Sequence, residues 1–371
     1  MSIQATLFLS MRSLISNIRL PLCVLILFMH FNPPVFHCQP VRLAAYRHFN
    51  VFHGFLSESL FCLCVPIFFI IFGYLFFINI DQFTKSVYYE KLHRRLHSLL
   101  IPYLVWNTIV FLLYYLGSMT IAPMPSGKAA TSFTFSDFIW SFWNIGHVYG
   151  DASFTGLVLD IPLWYVRDLL LISLFSPLLY ILLRKTKGFV LFVFALLWAG
   201  ELIPDFYAPS DQALCFFSLG AYAGMRKLVI PDEWADKRCY LFLLAYLLLS
   251  LVIIYFRFFR VEEFWTWIKH VNDLFGMASI LLLALHLTRK KESWASSTIS
   301  GASFFLYAFF SMPLLLLQKL IVPLFESYGS KGMLACFLIC PTVVILLGLF
   351  CYWCLQRVAP AWLSRLFTGG R

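Results

Sequence analysis

Long apolar stretches, separated by short polar and often basic segments, run through the whole of the 371-residue chain. Stretches near the length that crosses a hydrocarbon core of about 30 Å fall at 18–36, 56–78, 99–117, 161–183, 188–203, 212–229, 240–257, 271–289, 300–321 and 333–356. They lack the period-two alternation of barrel strands and are too long for them. The pattern predicts an all-α, polytopic transmembrane helical bundle of about ten membrane-spanning helices, with Pro204 and Pro209 crowding the junction of the fifth and sixth. Composition agrees: 61% of residues are hydrophobic and 12% charged, and the mean hydropathy is +0.82, too apolar for a soluble domain.

The formal net charge of +10 is distributed by segment. With the amino terminus in the cytoplasm, inside segments carry Arg12; Lys85, Lys91, Arg94 and Arg95; Arg184, Lys185 and Lys187; Arg226, Lys227, Lys237 and Arg238; Arg289, Lys290 and Lys291; and Arg357, Arg365 and Arg371. The outside loops hold Arg42, Arg47, Lys128, Arg257, Arg260, Lys269, Lys319 and Lys331. This imbalance is the positive-inside rule. It predicts a multi-pass protein of the plasma (inner) membrane with both termini cytoplasmic. It also accounts for the basic balance without nucleic acid, for which no aromatic-plus-basic soluble module is present.

The first apolar stretch holds two ionisable residues, Arg19 and His30, eleven positions apart. That spacing returns to within about 20° of one helix face, with the two separated by roughly 16 Å along the axis. Ionisable groups inside a span face a protein interior or a wet cavity and mark function by default. The plain alternative is that Arg19 snorkels to the interface and His30 packs as a hydrogen-bonded residue. No small-residue cleavage site follows this stretch, so it is expected to be retained. Residues 1–17 are expected to form a short cytoplasmic start, 357–371 a short tail and 1–371 a single membrane domain; Met11 is an alternative start to Met1.

The loop from about Asn32 to Gly54 gathers Pro33, Pro34, His37, Cys38, His48 and His53. The spacing matches no zinc pattern, and no metal is predicted. Of ten cysteines only Cys38 falls clearly in an outside loop, so no disulfide framework follows. Cys351 and Cys354, in an apolar helix without histidines, read as small packing residues.

Three further stretches carry chemistry. VPIFFIIFGYLFF, Val65–Phe77, contains Pro66 and Gly73, and Gly73 allows another helix to approach closely. The inside loop that follows carries Lys91, His93, Arg94, Arg95 and His97 just before Pro102. Such a cluster either binds phosphates through charge-assisted bonds or anchors the span against anionic membrane lipids. The stretch from about Ser118 to Ile161, rich in Ser, Thr, Gly and aromatics, suits a lid facing an acceptor, with a short interfacial helix. It leads to Trp164, Arg167 and Asp168 at the outer mouth of the fourth span.

The Arg19–His30 spacing, VPIFFIIFGYLFF, the basic run before LLIPYLVW, LWYVRDLLLISLFSPLL, FFSLGAYAG at Phe216–Gly224 and ASFFLYAFFSMPLL at Ala302–Leu315 stand in the order found in one family. Together they resemble the acyltransferase 3 family of integral membrane O-acyltransferases over about Ile18–Trp353. The resemblance implies transfer of an acyl group, often acetyl, from cytoplasmic acyl-CoA to a hydroxyl of a surface polysaccharide, glycolipid or related acceptor. It also implies that His30 and Arg19 are essential. The chain departs from the family pattern at Phe72, where the family's FFxxSG has serine, and at Phe310, where a histidine is usual.

The residues fit that chemistry. Histidine titrates near operating pH and can take the proton of an attacking alcohol. The oxyanion needs donors, for which Arg19 or backbone amides near Pro21 or Pro66 are candidates. Lys91, Arg94, Arg95 and His97 are candidates for the phosphates of the acyl-CoA donor, and Trp164, Arg167 and Asp168 for the acceptor. Two other classes use the same residues: a proton-coupled exporter or lipid flippase, which also carries intramembrane Arg and His, and a family member that has lost catalysis. Corresponding broken spans in the two halves, the mark of many secondary transporters, are not seen. Any step needing a further extracytoplasmic module is expected to come from a partner protein.

Overall fold

A computed structural model describes residues 3–32, 46–120, 130–204, 208–230, 232–259, 265–290 and 297–370. Pro33, Pro34, His37, Cys38, Arg42, Lys128, Arg260, Lys291 and Arg371 lie outside the described residues, as does Met1. Every regular element among the described residues is helical. In chain order the α-helices are α1 Ile3–Met29, α2 Arg47–Ser59, α3 Cys64–Phe77, α4 Lys85–Arg95, α5 Ile101–Thr120, α6 Phe135–Ser141, α7 Ile145–Tyr149, α8 Trp164–Leu174 and α9 Ser176–Lys185. They continue as α10 Val190–Ala199, α11 Asp211–Met225, α12 Asp232–Phe259, α13 Trp265–Lys290, α14 Ser297–Phe309, α15 Ser311–Phe325, α16 Gly329–Val358 and α17 Ala361–Thr368.

Each of the ten apolar stretches contains helix among its described residues. By length and composition, five helical runs among the described residues can cross a membrane: Arg47–Phe77, Lys85–Leu116, Asp236–Phe256, Trp267–Thr288 and Ser311–Val358. A sixth follows if the bent pair Ile161–Leu174 and Ser176–Lys185 is one span, while Ser13–Met29 and Val190–Ala199 are shorter apolar helices. The protein is an integral membrane protein, and its described residues show five or six such spans by this measure, against the roughly ten that apolar patterning suggests. Two boundaries differ. The first helix begins at Ile3 rather than near Ile18, and it stops at Met29, so that His30 follows the helix instead of lying inside it. The tail, expected as a short extension, contains α17, whose Phe367 carbonyl accepts a hydrogen bond from Trp106 Nε1 at 3.1 Å.

The chain forms two compact units, Met1–Ile71 with Lys227–Phe350, and Phe72–Arg226 with Cys351–Arg371. In the first, α12 and α13 pack along one another, and α1 packs on α13 and α14. Polar bonds join these helices and α2 within the core. Asn17 Nδ2 donates to Thr288 Oγ1 at 3.2 Å, Cys23 Sγ to the Ser303 carbonyl at 3.3 Å, Tyr246 to the Ser59 carbonyl at 2.7 Å, and Ser250 Oγ to Asn272 Oδ1 at 3.1 Å. Where lipid competes for apolar surface, such bonds and close packing replace the hydrophobic effect as the source of association.

In the second unit, glycines set the closest approach. A Cβ on Gly73 of α3 would collide with the backbone of Phe217 and Ala221, and one on Gly224 of α11 with the backbone of Tyr74. The reading of Gly73 as a contact for another helix holds, and Gly224 answers it from the partner helix. Between α8 and α9 the axis bends by 65°. Pro177, in the first turn of α9, cannot donate to the carbonyl four residues back and its ring crowds that carbonyl. Between α4 and α5 a π-helical turn spans Leu96–Leu100; Pro102 removes the N–H that would otherwise close an α-helical bond onto Ser98.

Candidate functional site

His30 is half-buried at the carboxyl end of α1. Its Nδ1 lies 2.8 Å from the Ile26 carbonyl. A carbonyl only accepts, so Nδ1 donates, and in the neutral ring Nε2 keeps its lone pair. The ring meets Phe310 edge-on, centroids 5.1 Å apart at 66°, and Phe310 is fully buried. Gln318 Nε2 donates to the His30 carbonyl at 3.5 Å. The departure from the family pattern at Phe310 therefore sits against the candidate base itself.

Arg19 is half-buried on α1. Eleven residues of helix separate it from His30 by about three turns, or ~16 Å. At that backbone separation one atom meets both groups only where the two side chains reach toward each other along the axis. Of the roles considered for it, oxyanion donor is the one the helix geometry disfavours; contact with a more distant part of an extended substrate remains open to it.

The basic run does not form one cluster. Lys91 and Arg95, four residues apart, share a face of α4: Lys91 Nζ lies 5.0 Å from the Phe76 ring, and the Arg95 guanidinium 5.3 Å from Phe72 and 5.7 Å from Phe76. Arg94 turns outward and pairs with Glu90 at 2.5 Å, the two side chains being 77% and 59% exposed. His97 and His93 face one another through Nε2 atoms 3.3 Å apart, both exposed. Phe72, standing where the family has serine, thus supplies a ring for Arg95.

Arg167 and Asp168, both buried, hold loops rather than leave groups free. Arg167 Nε and Nη2 donate to Asp168 Oδ1 at 3.0 and 2.8 Å, and Nη1 donates to the carbonyls of Trp143 and Gly156 at 2.6 and 2.9 Å. Asp168 Oδ2 accepts from Ser210 N–H at 2.8 Å. A tryptophan ring, that of Trp143, faces the guanidinium at 5.6 Å; Trp164 begins α8 and is half-buried. The described part of the aromatic stretch before them contains two short α-helices, α6 and α7, where the sequence predicts one. Tyr103 donates to the Phe142 carbonyl, and Asp160 N–H to Asn107 Oδ1 at 3.0 Å, tying this stretch to α5. Among the described residues no group of three or more His, Cys, Asp or Glu side chains is arranged to hold a metal.

A helical membrane chain with a hydrogen-bonded histidine at a helix end and basic faces suits more than one chemistry, and the comparisons choose among them. The chain matches the family described as Acyltransferase domain over residues 14–354; it belongs to that acyltransferase 3 family and is a membrane acyltransferase. It is similar to the succinoglycan biosynthesis protein ExoH of Rhizobium meliloti (strain 1021), 25% identical over 354 residues that cover 93% of this chain and 89% of that protein. No solved structure matches it.

Proposed function

We propose that this acyltransferase moves an acyl group, acetyl foremost, from cytoplasmic acyl-CoA to a hydroxyl of a surface polysaccharide, with a glycolipid or similar molecule as the other acceptor class. The family match supports acyl transfer, and the polysaccharide acceptor is supported by the likeness to a succinoglycan biosynthesis protein. The observation that carries the reading is His30, whose Nδ1–H is engaged by the Ile26 carbonyl while Nε2 is left as the acceptor. A base with this tautomer takes the alcohol proton at Nε2 as the oxygen attacks the thioester carbonyl. The tetrahedral intermediate then expels the CoA thiolate, which recovers the proton from His30. Lys91 and Arg95, on one face of α4, are better placed to act together on donor phosphates than Arg94, which Glu90 engages. The reading includes an inner-membrane location with cytoplasmic termini, from the distribution of basic residues.

The test is mass spectrometry of surface polysaccharide and glycolipid from cells lacking the gene, complemented with wild type or with His30→Ala at matched protein level. One acyl mass should vanish in the deletion and return with wild type but not with the variant. Restoration by His30→Ala would remove His30 from the chemistry. An unchanged acyl pattern accompanied by a missing lipid would favour transport.

A further inference from the structure

A cavity of 590 Å³ opens in the second unit, bounded by the loop after α3 and the carboxyl ends of α9 and α11. Two of its lining residues are Arg184 and Arg226, both exposed. Neither makes an ion pair among the described residues; Arg226 instead lies 5.4 Å from the Tyr222 ring. Gln82 and Thr84 add polar groups from the loop. Thr84 also caps α4, its side chain accepting from Val87 N–H, and the first turn of α4 contains no acidic residue. The positive end of that helix thus lies at the cavity's edge.

The walls are aromatic and held in place. Tyr222 donates its hydroxyl to the Lys187 carbonyl at 2.9 Å. Tyr180 stacks on Phe77, centroids 6.1 Å apart at 13°, and lies 5.1 Å from Phe83. Phe83 in turn is 6.4 Å from Phe76, the ring over which Lys91 sits. One carboxylate, that of Asp81, lines the same cavity and opposes any anion there.

We propose that this cavity binds a phosphate group, gripped by Arg184 and Arg226. Guanidinium groups bond phosphate oxygens in pairs and in plane, and two of them lining one cavity without carboxylate partners have that capacity unspent. Two sources share the chemistry: the phosphates of a nucleotide-bearing donor and the headgroup of an anionic lipid. The donor source rests on the acyl-transfer reading; phosphate binding itself does not.

The full-length chain is purified into nanodiscs, and affinity is measured for adenosine 3′,5′-bisphosphate by calorimetry and for phosphatidylglycerol by native mass spectrometry. The Arg184→Gln/Arg226→Gln variant is compared with Lys185→Gln/Lys237→Gln, which removes the same charge outside the cavity lining. Binding of one probe should weaken by about ten-fold in the arginine variant alone, and which probe it is names the source. Equal effects of the two variants, or none, overturn the proposal. Asp81→Asn should tighten the same probe several-fold. If the arginine variant does not fold, Asp81→Asn decides: unchanged or weaker binding of both probes overturns the site. Acyl transfer is assayed separately, so a chain that binds phosphate but transfers nothing refutes only the donor role.

Discussion

His30 and Arg167 are both ionisable side chains withdrawn from solvent near a helix end, and their hydrogen bonding is opposite. Arg167 uses four N–H groups, two on Asp168 Oδ1 and two on the Trp143 and Gly156 carbonyls, out of the five a guanidinium owns. Asp168 spends its other oxygen on Ser210 N–H. The His30 side chain makes one bond, to the Ile26 carbonyl, and otherwise meets the ring of Phe310. A group whose valences are spent on its own backbone holds a fold, whereas a group that keeps one nitrogen open can act on something else. The contrast supports the proposed reading, in which His30 does chemistry and Arg167–Asp168 hold the fold, and it can be broken from either side.

The largest effect is expected at His30. Substitution to Gln should lower kcat for acyl transfer by about 10²–10⁴, the usual worth of a positioned general base. Thermal stability of the purified protein should change little, because one hydrogen bond to a carbonyl contributes only ~1 kcal/mol. Loss of stability together with activity would return His30 to the structural class.

At Asp168 the expectation reverses. Asp168→Ala strands a buried guanidinium and should cost about 3–5 kcal/mol, read as poor recovery and a lowered unfolding temperature, with residual activity per folded molecule near wild type. A variant that folds normally but has lost acceptor affinity would instead place Arg167 and Asp168 in a binding site. Phe310 lies between these cases. Phe310→Leu keeps most of the apolar volume and removes the ring edge from His30. Stability should fall by about 1 kcal/mol and kcat by a few-fold at unchanged KM, as the imidazole loses one wall. An equal fall in all substrates' affinity would argue for a wider collapse.

Sequence alone reached the helical class, the close approach at Gly73 and the adjacency of Arg167 and Asp168, because those follow from hydropathy, residue size and neighbouring positions. It did not reach the partners of Arg167, since the Trp143 and Gly156 carbonyls and the Ser210 N–H are backbone groups that any residue type could supply. Nor did it reach the start of α1 at Ile3, where polar residues such as Gln4, Ser10 and Arg12 interrupt the apolar pattern that marks a span but not the helix. The contact of Phe310 with His30 left a trace as a departure from family pattern; its meaning needed the fold.

The smallest effect separates the two faces of α4, which the sequence presents as one basic run although i,i+4 spacing already pairs Lys91 with Arg95 and Glu90 with Arg94. Arg94→Ala breaks an exposed pair whose ordinary worth is about 0.3–0.5 kcal/mol, and it should leave the donor KM within a factor of about two. Arg95→Ala removes a cation from the Phe72 and Phe76 rings and should raise the donor KM by about ten-fold if that face meets phosphate. Equal, salt-sensitive effects of the two variants would mean that the run acts as diffuse charge, as a membrane anchor does, and that the inward face has no role of its own. A difference that persists at high salt would separate a built contact from a field, since screening weakens exposed charges far more than half-buried ones.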